Sequence, residues 1–248
     1  MKPLEDYSDI RGFCYSGGYR VPEEQLKREL GYAGSLRLNS TRIWLSEREY
    51  RKAPGDFLKK LCTFVETAWE AGISTMPILF NGNGLHPGDL EQGYEEYAEN
   101  YIKDVVQALR EEPGLLMWDV MNEPSCNDYI IEAKGEERKA RWEKVNGFLR
   151  RSCDKVKKLD SVNAVTIGHT YMGDVADTVE EVDVFSFHDY LPVRRQIEES
   201  YLTAEELSAR VGKPFLNSEL CCLCRANPYD LALDICREHH TGWYLFEL

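Results

Sequence analysis

Trp118-Asp119-Val120-Met121-Asn122-Glu123-Pro124 is an apolar, strand-like run that ends on a carboxylate, and Phe215-Leu216-Asn217-Ser218-Glu219-Leu220 repeats the design much later in the chain. An unpaired charge inside a core forfeits several kcal/mol of hydration. Both glutamates are therefore expected at strand tips that face a cleft. Outward from the first run, Leu115 to Met121 reads as a strand preceded by Pro113-Gly114. Ile73 to Phe80 is the strand before it and Ala164 to Gly168 the strand after it. Ile10 to Tyr15, Ser40 to Ser46, Val182 to Phe187, Pro214 to Ser218 and Gly242 to Phe246 complete a set of eight, rich in β-branched and aromatic residues.

Between the strands the apolar period changes from two to that of a helix. Leu58, Leu61, Cys62, Val65, Ala68 and Trp69 mark one helix, and Tyr94, Tyr97, Tyr101, Val105 and Leu109 a second. Trp142, Val145, Phe148, Leu149, Cys153 and Val156 mark a third. Pro22-Glu23-Glu24 opens another, with acids at the positive end of the dipole. The link between the fifth and sixth strands has room for only about two helical turns. Eight strands at roughly 30-residue spacing predict an α/β fold, a (β/α)8 barrel that fills residues 1–248 as one domain. A doubly wound sheet is disfavoured, because Gly12, Gly17 and Gly18 do not form a G-x-G-x-x-G after the first strand. The sequence stops at Leu248, so the reading expects a barrel without a final helix.

Composition narrows the partners. With 43 acidic against 30 basic residues the net charge is −13 and there is no basic block, which argues against nucleic acid or an anionic membrane. No apolar stretch is long enough to span a bilayer. Five Trp, fourteen Tyr and nine Phe offer faces on which a neutral ring can stack. No apolar run follows Lys2, so no leader is expected, and eight scattered Cys read as reduced thiols in a cytoplasm.

At the carboxyl ends of the strands, where barrel sites lie, stand Arg42, Asn122, Glu123, His169, His188, Tyr190, Glu219 and Trp243. These residues resemble clan A of the glycoside hydrolases, and family 5 most closely, over essentially the whole chain. The Trp118–Pro124 run is similar to that clan's strand-4 signature, which implies Glu123 as general acid/base and Asn122 as the partner of the sugar 2-hydroxyl. Glu219 matches the family nucleophile and Arg42 the arginine that orients it. The resemblance also implies that Tyr190 hydrogen-bonds the nucleophile, that His188 stands near the acid/base, and that Trp243 floors the sugar subsite. Where many members carry a His after strand 3, this sequence has Phe80-Asn81-Gly82-Asn83, with His86 later.

The implied activity is hydrolysis of a β-glycosidic bond in a mannan- or glucan-type glycan, with retention, endo or exo, and without cofactor or metal. Carboxyl groups about 5 to 5.5 Å apart carry out a retaining double displacement. Glu219 is expected to stay ionised beside Arg42, and its charge to raise the Glu123 pKa. Two alternatives stand beside this reading, a carbohydrate-binding barrel without catalysis and a metal-dependent sugar isomerase or lyase. Cys221-x-x-Cys224 loosely fits zinc spacing. It has no second pair at matching spacing, so plain thiols are expected there.

Overall fold

The computed structural model describes residues 4–90 and 92–247, without the side chains of Asp89 and residues 92–95; the Tyr94 side chain thus lies outside the described residues. The strands are β1 (Arg11–Cys14), β2 (Ser40–Trp44), β3 (Ser74–Asn81), β4 (Met117–Asn122), β5 (Ala164–His169), β6 (Phe185–Asp189), β7 (Phe215–Leu220) and β8 (Gly242–Leu245). They pair in parallel in sequence order and close into a barrel, with β8 returning to β1. The helices are α1 (Glu23–Ser35), α2 (Glu47–Lys52), α3 (Pro54–Glu70), α4 (Gln92–Leu109), α5 (Asp128–Ile131), α6 (Gly135–Leu159), α7 (Arg194–Val211) and α8 (Tyr229–Glu238). A 3-10 helix, Met172–Asp177, makes the short link from β5 to β6.

Each helix covers the barrel with the face its period marks. In α3, Pro54 occupies the first turn and Phe57, Leu61, Phe64, Val65 and Ala68 are buried. At about 1.5–3 kcal/mol for each large apolar side chain taken out of water, that stripe docks the helix. Trp69, counted on the same face from the sequence, is 42% exposed, because it sits at the end of the helix and turns off the stripe.

Along the strands the two-residue alternation sorts side chains between two cores. Cys14, Met76, Met117, Ala164, Val184, Leu216 and Tyr244 point inward and plug the barrel toward its amino end. Ile43, Leu79, Trp118, Val120, Val165, Phe185 and Phe187 point outward beneath the helices. Above the plug the interior turns polar, with Ser40, Arg42, Asp119, Thr166 and Ser186 all fully buried.

Two strands break the alternation. β4 carries an extra residue against β5 between Asp119 and Asn122. β7 carries one against both neighbours, between Asn217 and Glu219. A bulge re-aims every side chain beyond it. Met121 and Leu220, which strict alternation would turn inward, pack in the outer core, and Asn122 and Glu219 face the mouth in their place. Among the described residues no helix is long and apolar enough to cross a membrane.

Candidate active site

Glu123 follows β4 with φ +47°, a left-handed conformation that a side chain bearing Cβ rarely adopts. Its N–H donates to the Gly168 carbonyl at 2.7 Å, which fixes the turn. Gly82 lies against the same turn, and a Cβ there would stand 2.3 Å from the Glu123 carbonyl oxygen, so only glycine allows this crossing. Glu219 arrives from β7 on the other side of the mouth. His188, from β6, lies between them, its Nδ1 3.0 Å from Glu123 Oε1 and 2.8 Å from Glu219 Oε2. A donor shared in this way places the proton on Nδ1. The donor atoms of these three residues lie within 4.8 Å of one another, and they are the one group of this size among the described residues that could hold a metal ion. A proton on the imidazole satisfies the same geometry.

Burial of Glu123 works against its ionisation, but the His188 bond and charge, with an Asn83 side-chain bond, overcome it and hold the carboxyl down at about 2. This reverses the expected rise: the imidazole sits between the two carboxylates and screens one from the other. His188 itself loses basicity by burial and regains more from Glu219 and Glu123, so its pKa is raised.

Below this trio Arg42 is fully buried in β2. Its Nε and Nη2 donate to Asp119 Oδ2 at 3.0 and 2.8 Å, its Nη2 also donates to Asn122 Oδ1 at 2.9 Å, and its Nη1 reaches Glu219 Oε1 at 3.5 Å. The other Asp119 oxygen accepts the Gly168 N–H at 3.0 Å. Burial pushes the Asp119 carboxyl up, and the guanidinium opposes that rise. Asn122 completes the chain by donating from Nδ2 to Asn81 Oδ1 at 3.1 Å. Arg42 is thus aimed by Asp119, a residue that the sequence reading left out. Its signal was present: a carboxylate inside an apolar run, two places after the inward Met117.

The cleft above these groups encloses about 330 Å³ and is lined by Ser16, Trp44, Asn81, Asn83, Asn122, Glu123, Tyr190, Glu219, Cys222, Arg225, Phe246 and Glu247. Tyr190 is on its wall, edge-on to Phe246 and under the Arg225 guanidinium. Among the described residues it makes no hydrogen bond to Glu219, contrary to expectation. Trp243 is not in the cleft. It sits at the opposite end of the barrel with Ser8, Asp9 and Arg237, and Arg11 lies over its ring at 5.6 Å. Alternation is the reason: Tyr244 points inward, bonded to the Ser40 hydroxyl at 2.7 Å, so Trp243 points out and Phe246 reaches the mouth. Arg42 and Trp44 share the inward face of β2 in the same way.

His169 faces away from the cleft, with Nε2 2.7 Å from the Thr178 hydroxyl, and burial holds it neutral with a pKa of about 3. Cys221 is buried in the outer core and Cys224 is exposed, so they share no site; Cys224 instead faces Cys222, with the sulfurs 3.1 Å apart.

The sequence matches the family model described as cellulase (glycosyl hydrolase family 5) over residues 15–219. No curated protein sequence matches the chain. Its fold is similar to a hyperthermostable endo-1,4-beta-D-mannanase from Thermotoga petrophila RKU-1 (TM-score 0.73, 14% identity, 96% of this chain and 88% of that one). It is also similar to an endo-1,4-beta-mannanase from Rhizomucor miehei (TM-score 0.75, 14% identity, 96% and 85%). An exo-beta-1,4-mannosidase from Opitutaceae bacterium strain TAV5 matches at TM-score 0.73 and 18% identity, over 99% of this chain and 53% of that one. At these identities the structures speak for the fold, while the family model spans most of the chain and both bulged strands, so the protein belongs to glycosyl hydrolase family 5 and is an O-glycosyl hydrolase.

Proposed function

We propose that the protein cleaves β-glycosidic bonds in mannan- or glucan-type glycans with retention, with Glu219 as nucleophile and Glu123 as general acid/base. The observation that carries this reading is the approach of the two carboxylates, whose facing oxygens lie within 4.8 Å on a single imidazole nitrogen. That gap leaves no room for the water that an inverting enzyme places between sugar and base.

Glu219 attacks the anomeric carbon as the anion, with the Arg42 guanidinium at Oε1 stabilising its charge. Glu123 must give a proton to the departing oxygen. Its own carboxyl is held at about 2, so that proton resides on His188 Nδ1, one 3.0 Å bond away. A sugar that displaces water from the cleft makes two facing carboxylates costlier and transfers the proton to Glu123. Once Glu219 is esterified its charge is gone, and Glu123, again ionised, takes a proton from the attacking water.

Trp44, Tyr190 and Phe246 offer aromatic faces, and Asn81, Asn83 and Asn122 offer amide groups to hydroxyls, which suits a neutral glycan. The mannan-acting names of the similar structures favour a mannan. The test is incubation with activated 2-deoxy-2-fluoro β-mannosides and β-glucosides, followed by intact mass and peptide mapping. A glycosyl ester on Glu219 is expected, formed faster with the mannoside. An ester on another residue, or products of inverted configuration by NMR, refutes the assignment.

A further inference from the structure

The cysteine run after β7 has no part in the glycosidase chemistry, yet Cys222 lines the cleft together with Glu219. We propose that Cys222 and Cys224 form a thiol–disulfide site in the cleft wall, oxidised by low-molecular-weight disulfides such as oxidised glutathione, whose state sets how well the cleft holds sugar.

Three observations support the site. The two sulfurs already face each other at 3.1 Å, about an ångström beyond the bonded distance. The backbone holds them so: Cys222 precedes the 3-10 turn Leu223–Arg225, and its carbonyl accepts the Arg225 N–H at 3.0 Å, which closes the turn around the pair. Access is also selective. Cys224 is exposed, Cys222, Cys62 and Cys126 are partly exposed, and Cys14, Cys153, Cys221 and Cys236 are buried. Cys224, the more exposed of the pair, is the attacking group.

The Cys224 thiolate attacks one sulfur of the oxidised glutathione, forming a mixed disulfide and expelling one glutathione thiolate. The Cys222 thiolate then attacks the Cys224 sulfur, forming the intramolecular bond and expelling the second. The cysteine pair loses two electrons, oxidised glutathione gains them, and the two thiol protons end on the released glutathiones. A ring closed through one intervening residue is strained, so the bridge is readily reduced. The next residue, Arg225, stacks on Tyr190 at 4.8 Å, and both line the cleft. Closing the pair therefore tightens the wall beside Glu219.

The test is incubation of the whole protein with oxidised glutathione, followed by thiol alkylation, intact mass and peptide mapping, a readout that needs no glycosidase activity. Loss of two hydrogens, mapped to a Cys222–Cys224 link and reversed by dithiothreitol, is expected. Cys224→Ser should form no link. Free thiols at both positions, a stable mixed disulfide, or a link through Cys126 overturns the site. On an aryl glycoside that the enzyme turns over, the bridged protein should show a severalfold change in KM with kcat within twofold. An unchanged KM in fully bridged protein refutes the coupling to the cleft.

Discussion

Asp119→Asn removes one charge from the floor of the site while keeping the shape of the side chain. Arg42 is fully buried and is balanced by Asp119 at 2.8 and 3.0 Å and by Glu219 at 3.5 Å. At an effective dielectric near 20, a unit pair at about 3 Å is worth about 5 kcal/mol. The asparagine retains an acceptor, but the guanidinium is left with a single counter-charge, and breaking a buried pair costs about 3–5 kcal/mol. For a chain of this size each kcal/mol moves Tm by about 2–4 °C, so the variant should melt roughly 6–20 °C lower. The assay is thermal unfolding followed by circular dichroism at neutral pH. Arg42→Met combined with Asp119→Asn, which removes both charges, should be less destabilised than the sum of the two single variants. A Tm for Asp119→Asn within about 2 °C of the parent, or strict additivity in the cycle, would refute the view that Asp119 anchors Arg42 by charge.

Three further outcomes follow from the site and its surroundings. Glu123, held at about 2, stabilises the fold above the unfolded-state pKa of about 4.5 and loses that contribution as pH falls through 2. Glu123→Gln should therefore lose roughly 3 kcal/mol less than the parent between pH 4.5 and 2 in urea titrations, and parallel curves would contradict the His188 bond. Asp189 is pushed up to about 6 by burial, with Oδ2 lacking a partner, so the parent loses stability as pH rises from about 4 to 6. Asp189→Asn, which mimics the protonated form, should be more stable than the parent at pH 8 by about 3 kcal/mol, with the gap closing near pH 4. Finally, Phe246→Ala should raise KM severalfold, while Trp243→Ala should leave KM alone and cost about 1–2 kcal/mol of stability; a KM effect confined to Trp243→Ala would restore that residue to the cleft.

Strand and helix identity was legible in the sequence because it rests on local periodicity: inward and outward residues recur every two places, and helix faces every three or four. The carboxylates at the ends of β4 and β7 were legible for a related reason, since a charge at the tip of an apolar run has few places to go. Arg42, Asn122, His188 and Tyr190 likewise came out on the mouth of the barrel or just beneath it. Trp243 was misplaced although the needed signal was local: counting alternation from Gly242 puts Tyr244 and Phe246 on one face and Trp243 on the other.

Other features depend on contacts between distant segments and on no local pattern. The bulges in β4 and β7 arise from register against neighbouring strands, and they alone decide that Asn122 and Glu219 face the mouth where Met121 and Leu220 do not. The depressed Glu123 pKa needs His188, which is brought from β6 to within hydrogen-bonding distance of both carboxylates. The pairing of Cys222 with Cys224, with Cys221 turned into the core, follows from a backbone twist at Cys221, φ +69°, that spacing does not encode. Periodicity along one chain thus settles which elements form and which face each buries. Register, charge environment and the approach of side chains are sums over partners far apart in sequence, and only the closed barrel brings those partners together.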